Sequence, residues 1–138
     1  MSHTNLLYHI VFATKERALL ITNLIRSRLH AYLGGTVRHL NGTALEINGI
    51  VDHVHLLIIL PPTISVSHFM SKLKSNSSTW AKAQTHGRFA WHSRYGAFTV
   101  SESQSERVRN HIRHQEEHHR KTTFKDEYLD LLRAHRIL

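Results

Sequence analysis

His53 and His55 stand one residue apart in the most apolar stretch of the chain, Ile47 to Leu60. In a strand, residues i and i+2 point to the same face. The two imidazoles therefore sit side by side on a surface that the neighbouring Val54, Leu56, Leu57 and Ile58 mark as core. Imidazole is a common metal ligand, and burying two together requires a partner to offset the lost hydration. A divalent metal is one such partner; hydrogen bonding within a core pair at a strand edge is the other. Asp52, directly in front of the pair, and the basic chain around it favour a metal.

A second group of polar residues falls on a helix face. Ser103 followed by Glu106 has the capping-box spacing, and the pattern predicts a helix from there to about His119. Its inward stripe at the 3.6-residue period reads Val108, His111, Ile112, Gln115 and His119. His111 and Gln115 lie one turn apart on the same side as Val108 and Ile112. If this helix lies against the open face of a sheet carrying His53 and His55, Gln115 can complete a site with them. The plainer reading is a half-buried helix whose polar residues hydrogen-bond locally.

The elements that must position these residues follow from the apolar pattern. Leu6–Phe12 reads as a first strand, and Leu20, Leu24, Ile25, Leu29 and Leu33 predict a helix over 18–33 that Gly34 and Gly35 end. Ala44–Val51 and His53–Leu60 read as strands joined by a tight turn near Val51 and Asp52, the second stopped by Pro61 and Pro62. Ser65 is a candidate N-cap for a long helix to about Gln84 with the stripe Val66, Phe69, Met70, Leu73, Ser77, Trp80 and Ala81. Gly96–Val100 is a short last strand, and Thr123 with Asp126 opens a terminal helix carrying Phe124, Tyr128, Leu131 and Leu132. The order β-α-β-β-α-β plus two helices predicts an α+β, ferredoxin-like antiparallel sheet, with the doubly apolar His53–Leu60 strand at its centre.

Composition narrows the setting. The chain of 138 residues is expected to form one domain, 1–138, and it has no cysteine, which excludes disulfides and thiolate metal sites. No basic-then-apolar leader opens it and its longest apolar run is too short for a bilayer, so a cytoplasmic protein is expected. Lys and Arg exceed Asp and Glu by 18 to 10, a net charge of +8. Such an excess points to a polyanion, nucleic acid before membrane, because no helix combines a wide apolar face with a dense basic one. Lys15, Arg17, Lys72, Lys74, Arg94 and Arg109 are the candidate DNA contacts, with Trp91 and Tyr95 as surfaces on which unpaired bases can stack.

An ordered set of motifs carries a family resemblance. Asp52-His53-Val54-His55-Leu56-Leu57-Ile58 resembles the His-hydrophobic-His motif of the small tyrosine transposases that move insertion sequences as single-stranded DNA, including the REP-associated tyrosine transposases. The likeness extends to Tyr8–Lys15, Ser67–Trp80, Trp91-His92, Tyr95–Phe98, Gln115–Arg120 and Phe124–Tyr128. It implies that His53, His55 and Gln115 hold a divalent ion, Mg2+ or Mn2+, in a homodimer that cuts and rejoins single-stranded DNA beside hairpins. It also implies a tyrosine nucleophile four residues before the glutamine, and there this chain has His111. The departure opens two readings: a transposase with His111 at the catalytic position, or an inactive, repurposed protein that binds DNA hairpins. A histidine-rich metal-binding protein is a third, but it leaves the excess of Lys and Arg unexplained.

Overall fold

A computed structural model of the chain describes residues 2–137. Strands β1 (Leu6–Ala13), β2 (Thr43–Ile50), β3 (His53–Leu60) and β4 (Gly96–Thr99) form a sheet in the order β2-β3-β1-β4. All neighbours are antiparallel. Helix α1 (Arg26–His39) connects β1 to β2, and α2 (Val66–Gln84) connects β3 to β4. Three helices follow: α3 (Ser105–Arg113), α4 (Gln115–His118) and α5 (Phe124–Ala134). This is the expected ferredoxin-like arrangement, with β3 and β1 central.

Strand alternation sorts β3 into two chemically different faces. Val54, Leu56, Ile58 and Leu60 join Ile10 and Phe12 of β1 in the main core, closed by Leu29, Leu33 and Val37 of α1 and Phe69, Met70 and Leu73 of α2. His53, His55 and Leu57 look the other way, with Val11 opposite His55 and His9 opposite Leu57. That second face is covered by α3, which packs on β2 and β3. Gly49 allows β2 to close against the start of β3, since a Cβ there would lie 2.2 Å from the His53 carbonyl oxygen.

The helix expected over 18–33 is displaced along the chain. Residues 18–25 run as turns, anchored by the Ile21 N–H donating to the Val51 carbonyl at 2.9 Å, and Leu24 is 84% exposed rather than inward. Gly34 and Gly35 lie inside α1, and Gly34 faces Ile47 of β2. The helix ends instead at Asn41, which takes the left-handed φ of 66°. The Asn41 N–H donates to the Arg38 carbonyl at 3.0 Å and the Gly42 N–H to Val37 at 2.9 Å, the Schellman pairing that normally uses glycine where asparagine stands here.

Capping chemistry holds for two helices and fails for one. Ser65 Oγ accepts from the His68 N–H at 3.1 Å, and Thr123 Oγ1 accepts from the Asp126 N–H at 3.2 Å, opening α2 and α5 as expected. The Ser103–Glu106 box does not form: Ser103 Oγ lies against Ser101 Oγ, and a 3-10 turn over Glu102–Gln104 precedes α3. The single helix expected to reach His119 is broken at His114, whose Nδ1 sits 2.7 Å from the Asn110 carbonyl oxygen. Among the described residues no helix is long and apolar enough to cross a membrane.

Candidate metal and catalytic centre

Of the three residues singled out for a metal, His53 and Gln115 meet directly and His55 joins them through Glu127, while the ligand atoms of His53, His119 and Glu127 lie within 4.8 Å of one another. β3 delivers both imidazoles to its covered face, fully buried, and the start of α4 brings in Gln115, also fully buried. Gln115 Oε1 lies 3.0 Å from His53 Nε2. The break at His114 re-aims the chain here, and Asn48 of β2 holds the junction: its Nδ2 donates to the Ile112 and Arg113 carbonyl oxygens, each at 3.0 Å.

Each histidine is oriented through its other ring nitrogen. His53 Nδ1 is 2.8 Å from Asp52 Oδ1, so its proton belongs on Nδ1 and Nε2 is left to face the site. His55 Nδ1 is 2.8 Å from His9 Nε2, and the two rings stack with centroids 5.1 Å apart. Burial pushes the His55 imidazolium down to about 4, with Glu127 opposing, so the ring is neutral and available as a ligand. Burial, and then the neighbouring His55, likewise lower His9. At His53 burial acts downward too, but the bonds to Asp52, Glu127 and Gln115 outweigh it and raise the pKa.

A residue absent from the sequence reading sits at the centre of this group. Glu127 of α5 is only 4% exposed, and its carboxylate lies among five imidazoles. Oε1 is 2.9 Å from His55 Nε2, 3.1 Å from His119 Nε2 and 3.6 Å from His53 Nε2. Oε2 is 2.9 Å from His111 Nε2 and accepts from Gln115 Nε2 at 3.0 Å. Burial acts to raise the Glu127 pKa, yet the hydrogen bonds from His111, His53 and His55 overcome it and hold the group ionised. Its signal was in the sequence: Glu127 is the one charged residue on the stripe Phe124, Glu127, Tyr128, Leu131 that docks α5. His119 stood on the predicted inward stripe, and His9 and His118 join the group only through the fold.

The family follows from comparison with known proteins. The family model described as "Transposase IS200 like" matches residues 2–115. The chain belongs to that family. It is 32% identical over 124 residues to the transposases for insertion sequence element IS200 of Salmonella typhimurium and Salmonella typhi, covering 83% of this chain and 81% of each relative. Two solved structures share the fold. One is a protein of Deinococcus radiodurans R1 assigned as a transposase, with TM-score 0.67, 23% identity and coverage of 83% of this chain and 93% of that one. The other is a REP-associated tyrosine transposase bound to a REP hairpin, with TM-score 0.61, 12% identity and coverage of 81% and 70%. In this IS200-like chain the family match closes at Gln115, so His118, His119 and Glu127 lie beyond it.

The expected DNA-contacting residues divide into three groups. Lys15, Arg17, Lys72 and Arg94 are exposed. Arg17 and Arg94 line one cavity of about 900 Å3 with Tyr95, Phe124, Lys125 and Tyr128. Lys74 is turned inward to the carbonyl oxygens of His92 and Arg94. Arg109 is paired with Glu46 at 2.9 Å, beside Arg113 at 3.0 Å, and so pins α3 to β2. Trp91 does not offer a face for stacking. It packs edge-on against Phe12 and Phe89, with Nε1 donating to the buried Ser77 Oγ at 2.9 Å. Tyr95 is half-buried at the cavity wall.

Proposed function

We propose that this IS200-like transposase acts on single-stranded DNA beside hairpins, around a divalent ion, Mg2+ or Mn2+, held by His53, His55 and Gln115. The observation that supports the reading is the meeting of these buried side chains on the covered face of β3, with Asp52 and His9 holding the two imidazole rings in place. The donor set fits such an ion: two imidazoles and one amide oxygen, with room left for oxygen ligands. When bound, the ion supplies polarisation of a phosphoryl oxygen and orientation of the displacement. The exposed Arg17, Arg94, Lys15 and Lys72 would hold the phosphate backbone, and the 900 Å3 cavity has aromatic walls suited to an unpaired base. The hairpin-bound structural relative supports the same class of partner. A homodimer is part of this reading, supported by β2 and β4 as edge strands with one side free to extend a sheet.

His111 occupies the position of the family's nucleophile, one helical turn before Gln115. Its Nε2 is engaged with Glu127 Oε2 at 2.9 Å, and this favours the second reading, a hairpin-binding protein that cleaves poorly. An imidazole attack would also give a labile phosphoramidate where a phenol gives a stable phosphodiester. The test is incubation of the chain and of His111→Tyr with hairpin-bearing single-stranded DNA and Mn2+, followed by a search for a denaturation-resistant adduct. The unaltered chain is expected to give little adduct and His111→Tyr at least tenfold more. Equal adduct from both would make His111 a working nucleophile; none from either, with binding retained, leaves the hairpin-binding reading.

A further inference from the structure

The Glu127 carboxylate is asked to satisfy more groups than it can. A carboxylate offers about four lone-pair positions. Four are taken: His55 and His119 at Oε1, His111 and Gln115 Nε2 at Oε2. His118 Nε2 also points at Oε2 from 3.2 Å, but off the line of a hydrogen bond, and it is buried without any hydrogen-bond partner. A buried, unpaired ring nitrogen costs free energy on the order of a lost hydrogen bond. A cation that takes up the ring nitrogen's lone pair is one partner that meets this need.

The separations suit such a partner. Donor atoms that share one ion at about 2.0–2.2 Å lie roughly 3–3.5 Å from one another. His111 Nε2 is 2.9 Å and His118 Nε2 3.2 Å from Glu127 Oε2, and all three ligand atoms lie within 4.8 Å of one another. The two imidazoles come from α3 and α4, whose relative direction is set by the break at His114, and their ring centroids are 4.8 Å apart. The group opens on a cleft of about 370 Å3 lined by His111, His118 and Glu117, so a further ligand can enter from outside.

We propose that His111, His118 and Oε2 of Glu127 bind a second divalent cation of the zinc type, beside the His53–His55–Gln115 centre. Two imidazoles and one carboxylate with an open fourth position form a zinc donor set, whereas Mg2+ prefers oxygen alone. Glu127 then bridges, Oε1 toward His53, His55 and His119 and Oε2 toward the new ion. His118 and Glu127 lie beyond the segment that the family model matches, residues 2–115. The second centre gives His111 a ligand's role, in which its lone pair is committed and it does not attack phosphate. The assignment stands whether or not the chain cuts DNA.

The experiment counts metal ions without DNA. The chelator-treated full chain is titrated with Co2+, a visible-absorbing stand-in for Zn2+, and the ions bound are counted by equilibrium dialysis against Zn2+. The unaltered chain is expected to bind two ions. His118→Ala is expected to bind one, and the His53→Ala/His55→Ala double variant to keep the His118-dependent ion. His118 and His111 are each about one-third exposed, so His111→Ala serves as a second probe, with circular dichroism reporting the fold. Loss of one ion in both single variants supports the second centre. An unchanged ion count in His118→Ala and His111→Ala overturns it, as does a chain holding one ion that is lost only with His53 and His55.

Discussion

At the scale of single residues, the site is governed by which nitrogen of each imidazole is committed. Asp52 fixes His53 and His9 fixes His55, each at 2.8 Å, leaving the opposite Nε2 atoms directed inward. In metal proteins such outer partners set ligand orientation, and their loss typically weakens binding 10–100-fold. Asp52→Asn and His9→Phe are therefore expected to lower Mn2+ affinity by about one to two orders of magnitude, read by calorimetric titration, while both retain the fold. An affinity unchanged in both variants would remove these residues from the site. Glu127 differs in kind, because it is an acceptor surrounded by donors rather than a partner of one ring.

At the scale of elements, the decisive feature is the junction of α3 and α4. α3 is tied to β2 by Glu46 with Arg109 and Arg113, and its last carbonyls are satisfied by Asn48 rather than by a continuing helix. This lets α4 begin in a new direction and carry Gln115 onto His53. Asn48→Ala removes two hydrogen bonds from one half-buried junction, at a cost of about 1–3 kcal/mol. Urea unfolding is expected to register that loss, and Mn2+ titration a weaker site, although Asn48 is not itself a ligand. Full metal affinity in a destabilised Asn48→Ala chain would show that Gln115 is positioned by α5 instead.

At the scale of the whole molecule, charge and burial make opposite demands. The +8 balance favours polyanions, and with Arg109 and Lys74 engaged internally the phosphate-facing set reduces to residues such as Lys15, Arg17, Lys72 and Arg94. Binding of hairpin-bearing single strands is expected to fall with salt, log affinity against log salt having a slope of about −0.7 per phosphate neutralised. Arg94→Ala should flatten that slope, and Arg109→Ala should instead lower stability; the reverse pattern would reassign the two. Burial also builds in an acid sensitivity away from the site. His30 of α1 is lowered to about 4, by burial first and Arg26 second, and its Nε2 has no partner. Because the unfolded chain binds this proton near pH 6.5 and the folded one only near 4, stability is complete above 6.5. It then declines between those values by up to about 1.4 kcal/mol per pH unit. His30→Leu should remove that part of the acid loss in chemical unfolding at pH 5, while His9 and His55 keep theirs.

The sequence by itself determined the strands and their order in the sheet, and it singled out His53, His55 and Gln115 as one candidate set. Alternation in β1 and β3 and the His-Val-His spacing depend only on neighbours along the chain, whereas the helical interval read from His111 to Gln115 is interrupted at His114. The capping of α2 and α5 was local in the same sense. The end of α1 was not: Gly34 and Gly35 read as a stop, but the helix runs through both, and Asn41 took the left-handed turn. The break at His114 was equally hidden, because it depends on Asn48 reaching from another strand. Only the tertiary structure could add His9 and His118 and gather them with His111, His119 and the β3 pair around Glu127. A buried carboxylate is stable only where several donors from distant segments converge on it, and that convergence has no sequence period.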